Sequence, residues 1–292
     1  MIKINNDRNK NIFLMDGTLY LYRSYYKFLN LFNSKNILIS VIQGMIYIIN
    51  KIINNYNPKY LLIIYDYPCK NFRKISYNEY KKNRSSCPKD LINQIPIVNE
   101  IINNMGILTI SIPSVESDDI IGTLSKQCKR NGFNVYIITI DKDMIQLMSK
   151  KVHIFDILSN KIFNPNDIYL KYNVNYYNII DYFSLVGDSS DNIPGIYGIG
   201  PKTASILIQK YKNIYNIYKN INEIYNIKNL KNPKKIIKNL CKNKKKLMLF
   251  YNLIKIKTDI FIGYKINDFI IKNKNILNLN KLLKKYEILD LY

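Results

Sequence analysis

A chain of 292 residues with 47% apolar content can bury a proper core and fold unaided, as one large or two modest domains. Its longest oily stretch, Ile37 to Ile49, is broken by Ser40, Gln43 and Gly44, and MIKINNDRNK lacks a signal-type apolar core, so neither a membrane-spanning helix nor a signal peptide is expected. The 44 Lys and Arg against 21 Asp and Glu leave +23, which favours a polyanionic partner through counterion release, although the Asn, Ile, Lys and Tyr bias of AT-rich codon usage also adds lysine.

Short apolar runs recur along the first half at Ile12 to Met15, Tyr60 to Tyr65, Ile107 to Ile112 and Val135 to Ile140. Runs of this length between polar flanks read as buried parallel strands. Ile37 to Ile53 and Ile120 to Cys128 carry apolar residues at helical spacing between them, which makes the class α/β. Lys70 to Asp90, KNFRKISYNEYKKNRSSCPKD, is basic, dotted with aromatics and poor in aliphatics. It is expected to leave the sheet and contribute little core. His153, in the strand-like VHIFDI, is expected to be packed. From Tyr177 onward helices dominate, at Ile179 to Val186, Thr203 to Tyr211 and Lys246 to Ile256, with one weak strand candidate at Ile260 to Ile262. The basic stretch KNPKKIIKNLCKNKKK is explained at least as well by a solvated helix face as by binding. Cys69, Cys87, Cys128 and Cys241 form no CxxC pair, which suits a reduced, cytoplasmic protein.

Carboxylates follow each strand. Asp16 comes after IFLM, Asp66 after LLIIY, Glu116, Asp118 and Asp119 beyond ILTISI, and Asp141 and Asp143 after VYIITI. In a parallel sheet these ends share one edge, where ligands bind. One Asp after a strand is ordinarily an N-cap of the next helix. Four strand ends doing the same crowd negative charge that a cation must hold. Oxygen donors without His or Cys suit Mg²⁺ or Mn²⁺, and their number suits two ions of the kind that cleave phosphodiesters. Further on, DSSDNIPGIYGIGPKTA places Gly195, Gly198 and Gly200 before a helix starting near Thr203. Such a turn offers backbone N–H groups and a positive helix end to phosphate, with Lys202 beside it.

Together LMDGTLYLYRSYY, YDYPCKNFR, YNEYKKNR, VESDDIIGTLS, TIDKDMIQLMS and VGDSSDNIPGIYGIGPKTA resemble, in order and approximate spacing, the 5′-to-3′ exonuclease domain of bacterial DNA polymerase I and its flap endonuclease relatives. The resemblance implies a PIN-like parallel-sheet domain over residues 1–175, with a helical arch at about 70–100. A helical domain over 176–292 would contain a helix-hairpin-helix motif. It implies a first metal on Asp16, Asp66, Glu116, Asp118 and Asp119, and a second on Asp141, Asp143, Asp188 and Asp191. Lys81 and Arg84 would meet the scissile phosphate, Arg73 would assist, and Tyr77 or Tyr80 would stack an unpaired base. Gly195, Gly198, Gly200, Lys202 and Thr203 would hold duplex, with K⁺ as a bridge to phosphate. The implied substrates are 5′-flap and RNA-primed DNA. Because LLKKYEILDLY matches the end of the nuclease domain, a free-standing, monomeric bacterial-type nuclease is expected, with a separate polymerase as a partner in trans.

Three other readings compete. LMDGTLY mimics the DxDGT signature of haloacid-dehalogenase-type phosphatases, but the nucleophile position is Leu14, which cannot attack phosphorus. A non-catalytic helix-hairpin-helix module is disfavoured by the full acid set, and a PIN-type single-strand RNase by the hairpin and the basic segment.

Overall fold

The computed structural model describes residues 7–288; Met1 to Asn6 and Leu289 to Tyr292, and with them the ends of the two terminal motifs, lie outside the described residues. In chain order the elements are β1 (Asn11–Asp16), α1 (Gly17–Lys27), α2 (Ser40–Tyr56), β2 (Tyr60–Ile64), α3 (Phe72–Ser76), α4 (Lys89–Asn104), β3 (Leu108–Ile110), α5 (Ser117–Arg130), β4 (Asn134–Ile138), β5 (Val152–Asp156) and β6 (Lys161–Ile162). The helices α6 (Pro165–Tyr172), α7 (Ile179–Val186), α8 (Pro201–Tyr211), α9 (Ile214–Lys219), α10 (Pro233–Lys242), α11 (Lys244–Ile254) and α12 (Ile276–Tyr286) complete the chain. Among the described residues they form two compact units: residues 7–69, 86–162 and 257–288 in one, and 70–85 with 163–256 in the other.

The first unit is built on a six-stranded sheet of order β3-β2-β1-β4-β5-β6, parallel except at β6. Every residue of β1 and β2 is buried, as expected of strands covered on both faces. Phe13 and Met15 of β1 lie in one cluster with Ile42, Met45 and Ile49 of α2 and Val98, Ile101 and Ile102 of α4. The amphipathic α5 carries Asp118 and Asp119 in its first turn and Lys129 and Arg130 in its last, each sign matching the nearby end of the helix dipole. His153 stacks on Tyr136 with ring centroids 5.2 Å apart, and burial holds its pKa below the ordinary range. It is a packed residue.

Two boundaries differ from the expected plan. The span expected as arch, 70–100, divides: Lys70 to Ser85 pack with the helical unit, whereas α4 buries Leu91 and Val98 in the first. There Gln94 Oε1 accepts from Val41 N–H at 2.9 Å. The chain after Ile256 also returns to the first unit. Lys257 N–H donates to Asp119 Oδ1 at 2.8 Å, Ile260 N–H to Thr123 Oγ1 at 3.2 Å and Lys272 N–H to Gly106 O at 2.9 Å. The weak strand candidate at Ile260 to Ile262 is an irregular part of this strap, because its backbone bonds go to a helix side chain instead of a neighbouring strand. No described helix is long and apolar enough to cross a membrane.

The second unit is helical. Arg73 and Tyr80 are both 2% exposed, so the basic segment does supply core, contrary to its low aliphatic content. The reason is polar: a buried guanidinium and phenol are retained because each finds partners.

Candidate active site

Strands β3, β2, β1 and β4 are neighbours and all parallel, so their C-terminal ends fall along one edge at about 4.8 Å spacing. Asp16 is the last residue of β1, Asp66 lies just after β2, Glu116 precedes α5, and Asp141 follows β4. Hydrogen bonds link them. Asp66 Oδ1 accepts from Ser117 N–H at 2.7 Å and from Ser117 Oγ at 2.9 Å. Thr139 Oγ1 donates to Asp16 Oδ2 at 3.1 Å and accepts from Asp141 N–H at 3.1 Å. Asp141 Oδ1 accepts from Asp143 N–H at 2.9 Å, while Lys142 Nζ pairs with Asp143 Oδ1 at 3.1 Å.

Capping and site roles coincide at some of these acids. Asp16 Oδ1 caps α1 by accepting from Leu19 N–H at 3.1 Å, and Asp141 caps the short helix Lys142–Leu147. Asp66 caps no helix of its own segment but accepts from the first N–H of α5, that of Ser117, while Glu116 sits at the N-cap of α5 without a side-chain cap bond. Asp119, 1% exposed, gives one oxygen to the strap at Lys257. Asp118 is half-buried at the start of α5. Ser117, Thr139 and Thr18, whose Oγ1 accepts from Asp66 N–H at 2.7 Å, were missed from sequence. A Ser or Thr within two residues of a candidate acid was the available signal in each case.

The electrostatics are those of a cation site. Burial, and then the charges of Asp66 and Asp141, raise the Asp16 carboxyl to about 7 against the cap bond from Leu19. Side chains offering only oxygen, whose mutual repulsion disfavours ionisation, fit a hard divalent cation.

In the second unit, Asp188 Oδ1 accepts from Ser190 N–H at 2.9 Å and Ser190 Oγ at 2.6 Å. Asp191 is wrapped by the basic segment. Tyr80 Oη donates to its Oδ2 at 2.9 Å, Arg84 Nη2 pairs with its Oδ1 at 2.7 Å, and Lys81 N–H donates to its carbonyl at 2.9 Å. Lys81 takes a left-handed φ of 53° and lays its ammonium 5.0 Å from the Tyr80 ring centre. Two expected roles are corrected. Tyr80 is not a stacking platform, since its ring is buried and its hydroxyl spent on Asp191. Arg73 does not face a phosphate: Nε donates to Leu253 O at 2.7 Å and Nη2 to Lys255 O at 3.2 Å, tying down the end of α11. Tyr77 is half-buried, edge-on to Phe250.

The glycines of the hairpin are not equivalent. Gly195 has a φ of +67°, and a Cβ there would lie 2.4 Å from the Val186 backbone; Gly198 has a φ of +81°. Gly200 is the extended N-cap of α8 with no atom near its missing Cβ. Gly195→Ala is therefore expected to destabilise by about 2 kcal/mol or more, while Gly200→Ala costs only about 0.5 to 1 kcal/mol, the difference between Gly and Ala at an N-cap, as read from urea midpoints. Equal midpoints for the two variants would contradict this. Lys202 is exposed and Thr203 half-buried on the first turn of α8.

The N-terminal resolvase-like domain of 5′-3′ exonucleases matches residues 11–173, and their C-terminal SAM-fold domain matches residues 174–276. This chain belongs to the 5′-3′ exonuclease family. It is 42% identical to the 5′-3′ exonuclease of Buchnera aphidicola subsp. Acyrthosiphon pisum (strain APS), over 97% of this chain and 99% of that protein. A stretch covering 71% of the chain is 37% identical to part of the DNA polymerase I of Caldicellulosiruptor bescii, of which it spans 25%. In fold it is similar to T5 5′-exonuclease, solved with zinc bound, at a TM-score of 0.67 and 24% identity over 95% of this chain and 99% of that one. As a member of this family the chain is a nuclease of PIN-like α/β architecture followed by a helical domain.

Proposed function

We propose that this nuclease removes 5′ flaps and RNA primers from branched DNA, hydrolysing one phosphodiester near the junction with Mg²⁺. The observation that carries the reading is the line of carboxylates at one sheet edge, with Asp16 raised to about 7. A substrate phosphate would be repelled by that edge unless cations neutralised it.

The proposed ligands in the first unit are Asp16, Asp66, Glu116, Asp118 and Asp119 for one ion, with Asp141 and Asp143 serving a second. Asp188 and Asp191 are the proposed ligands in the helical unit. The ions, for which Mn²⁺ would substitute, supply Lewis acidity to the attacking water and the leaving oxygen. The chain's own groups do the positioning. Thr139 and Ser117 aim the carboxylates of Asp16 and Asp66, so the donors are arranged before a ligand arrives. Lys81 and Arg84 are the proposed phosphate contacts, and Arg84 is held meanwhile against Asp191. Gly195, Gly198, Gly200, Lys202 and Thr203 are the proposed duplex seat, with K⁺ at the hairpin carbonyls. Action as a monomer in a bacterial cytoplasm, beside a separate polymerase, belongs to the same proposal.

The test is a labelled 5′-flap duplex incubated with Mg²⁺ or EDTA, using wild type, Asp118→Ala and Asp141→Ala. Cleavage is expected only for wild type with Mg²⁺; equal cutting by all three proteins would reject the site. Lys81→Ala is expected to slow single-turnover cleavage by about a hundred-fold with flap affinity largely kept, and unchanged turnover would remove Lys81 from the reaction.

A further inference from the structure

The hairpin that carries Gly195, Gly198 and Gly200 does not stand alone in the helical unit. Asn239, in the middle of α10, donates its Nδ2 to the carbonyl oxygen of Tyr197 at 2.7 Å. The same Nδ2 lies 3.4 Å from where a Cβ on Gly198 would be. Lys235, one turn earlier, holds its ammonium 5.3 Å from the centre of the Tyr197 ring. Tyr197 is 76% exposed at the hairpin tip. A helix of ten residues therefore fixes the tip through a backbone bond and covers its one aromatic side chain with a cation.

The rest of α10 fits that arrangement. Ile236 and Leu240 are buried and Tyr218 Oη donates to Leu240 O at 2.9 Å, so the helix is firmly seated. Lys235, Lys238, Asn239 and Lys242 follow the i, i+3, i+4, i+7 spacing of one helix face, the face that touches the tip. All three lysines are exposed or half-exposed. None is in an ion pair among the described residues, and no carboxylate occurs in the sequence between Glu223 and Asp259. An ordinary solvated helix balances its lysines with acids at i±4; this one does not.

We infer that α10 is a second wall of the duplex seat: Asn239 is a positioning residue that sets the hairpin tip, and Lys235, Lys238 and Lys242 bind the phosphate backbone of the double-stranded part of the substrate. The inference rests on the hairpin's proposed role as the duplex seat. Lysines aligned along one helix face, whose one amide, Asn239, is engaged with Tyr197 O, bind backbone charge without regard to sequence.

Binding of the full chain to a blunt, fluorescently labelled duplex, measured by anisotropy in EDTA over a series of salt concentrations, tests the inference. Lys235→Ala/Lys238→Ala is expected to lower the slope of log affinity against log salt by about 2, roughly one for each phosphate deprived of its lysine. An unchanged slope overturns the inference. Asn239→Ala is expected to raise KM on flap substrates about five-fold with kcat unchanged, and Asn239→Gln, which keeps an amide donor, to recover most of that affinity. A fall in kcat at constant KM, or no rescue by Gln, overturns the positioning role. Should Asn239→Ala melt near the assay temperature, the lysine pair on the exposed face still decides the matter. Failure of wild type to bind or cut duplex substrates would count against the hairpin reading itself, whereas normal wild-type binding with indifferent variants would count against α10 alone.

Discussion

Asp16→Asn is expected to cut turnover of a flap substrate by about a thousand-fold or more while making the metal-free protein more stable. Asparagine keeps the cap on α1, because its side-chain oxygen accepts from Leu19 N–H as the aspartate does. Its Nδ2 replaces the oxygen that accepts from Thr139 Oγ1, so that contact survives only if the Thr139 hydroxyl turns to accept from the amide. What it removes is the buried charge. The Asp16 carboxyl has an ordinary value of 3.8 and is raised to about 7 by burial and by its neighbours Asp66 and Asp141. Below about pH 4, both folded and unfolded chains hold this proton and the fold loses nothing. As the pH rises towards 7 the unfolded chain ionises first, so stability drains away across that window and levels off above it. The amount at stake is on the order of a few kcal/mol. A divalent cation binding the ionised form reverses the trend. Melting curves should therefore show that Mg²⁺ stabilises wild type more at about pH 8 than at about pH 5, and that Asp16→Asn loses this carboxyl's share of both the pH and the Mg²⁺ dependence. A wild-type protein whose metal-free stability rises between about pH 4 and 7 through this carboxyl, or an Asp16→Asn variant that still cuts at the normal rate, would remove Asp16 from the centre of the site.

Arg73→Ala should unfold at distinctly lower urea concentration, by about 3 kcal/mol, with DNA affinity of the folded protein unchanged. The side chain is 2% exposed, and its guanidinium serves the carbonyls of Leu253 and Lys255 just where α11 ends. Those carbonyls are among the groups a helix cannot satisfy internally. Removing the donor leaves buried acceptors bare, at roughly 1.5 to 3 kcal/mol for a charge-assisted bond. The guanidinium also stacks over the Phe72 ring at 4.6 Å. Arg73→Lys is expected to recover little, since an ammonium cannot present two planar N–H groups to two carbonyls. Normal stability with weakened binding would restore the phosphate-binding role expected from the sequence.

The strands, their parallel order of ends and the acids that follow them were legible because period, length and residue type report directly on burial. Four apolar runs each became a strand within one or two residues of their sequence bounds. The hairpin was legible too, since Gly195 and Gly198 occupy left-handed positions that other residues resist. The roles of Arg73 and Tyr80 were not. A basic, aromatic segment reads as surface, and only the tertiary structure supplies the carbonyls of α11 and the Asp191 carboxylate that let these side chains be buried.

What the sequence determined by itself, then, is the set of elements and the chemistry of their ends, because hydrophobic period and glycine conformation are local properties. Only the tertiary structure decided that the chain after Ile256 returns to the sheet unit through Asp119, Thr123 and Gly106, and that Asn239 and Lys235 reach the hairpin tip. Those pairings join residues far apart in the chain through single hydrogen bonds or, for Lys235, one contact with a ring, and a polar side chain does not announce its partner.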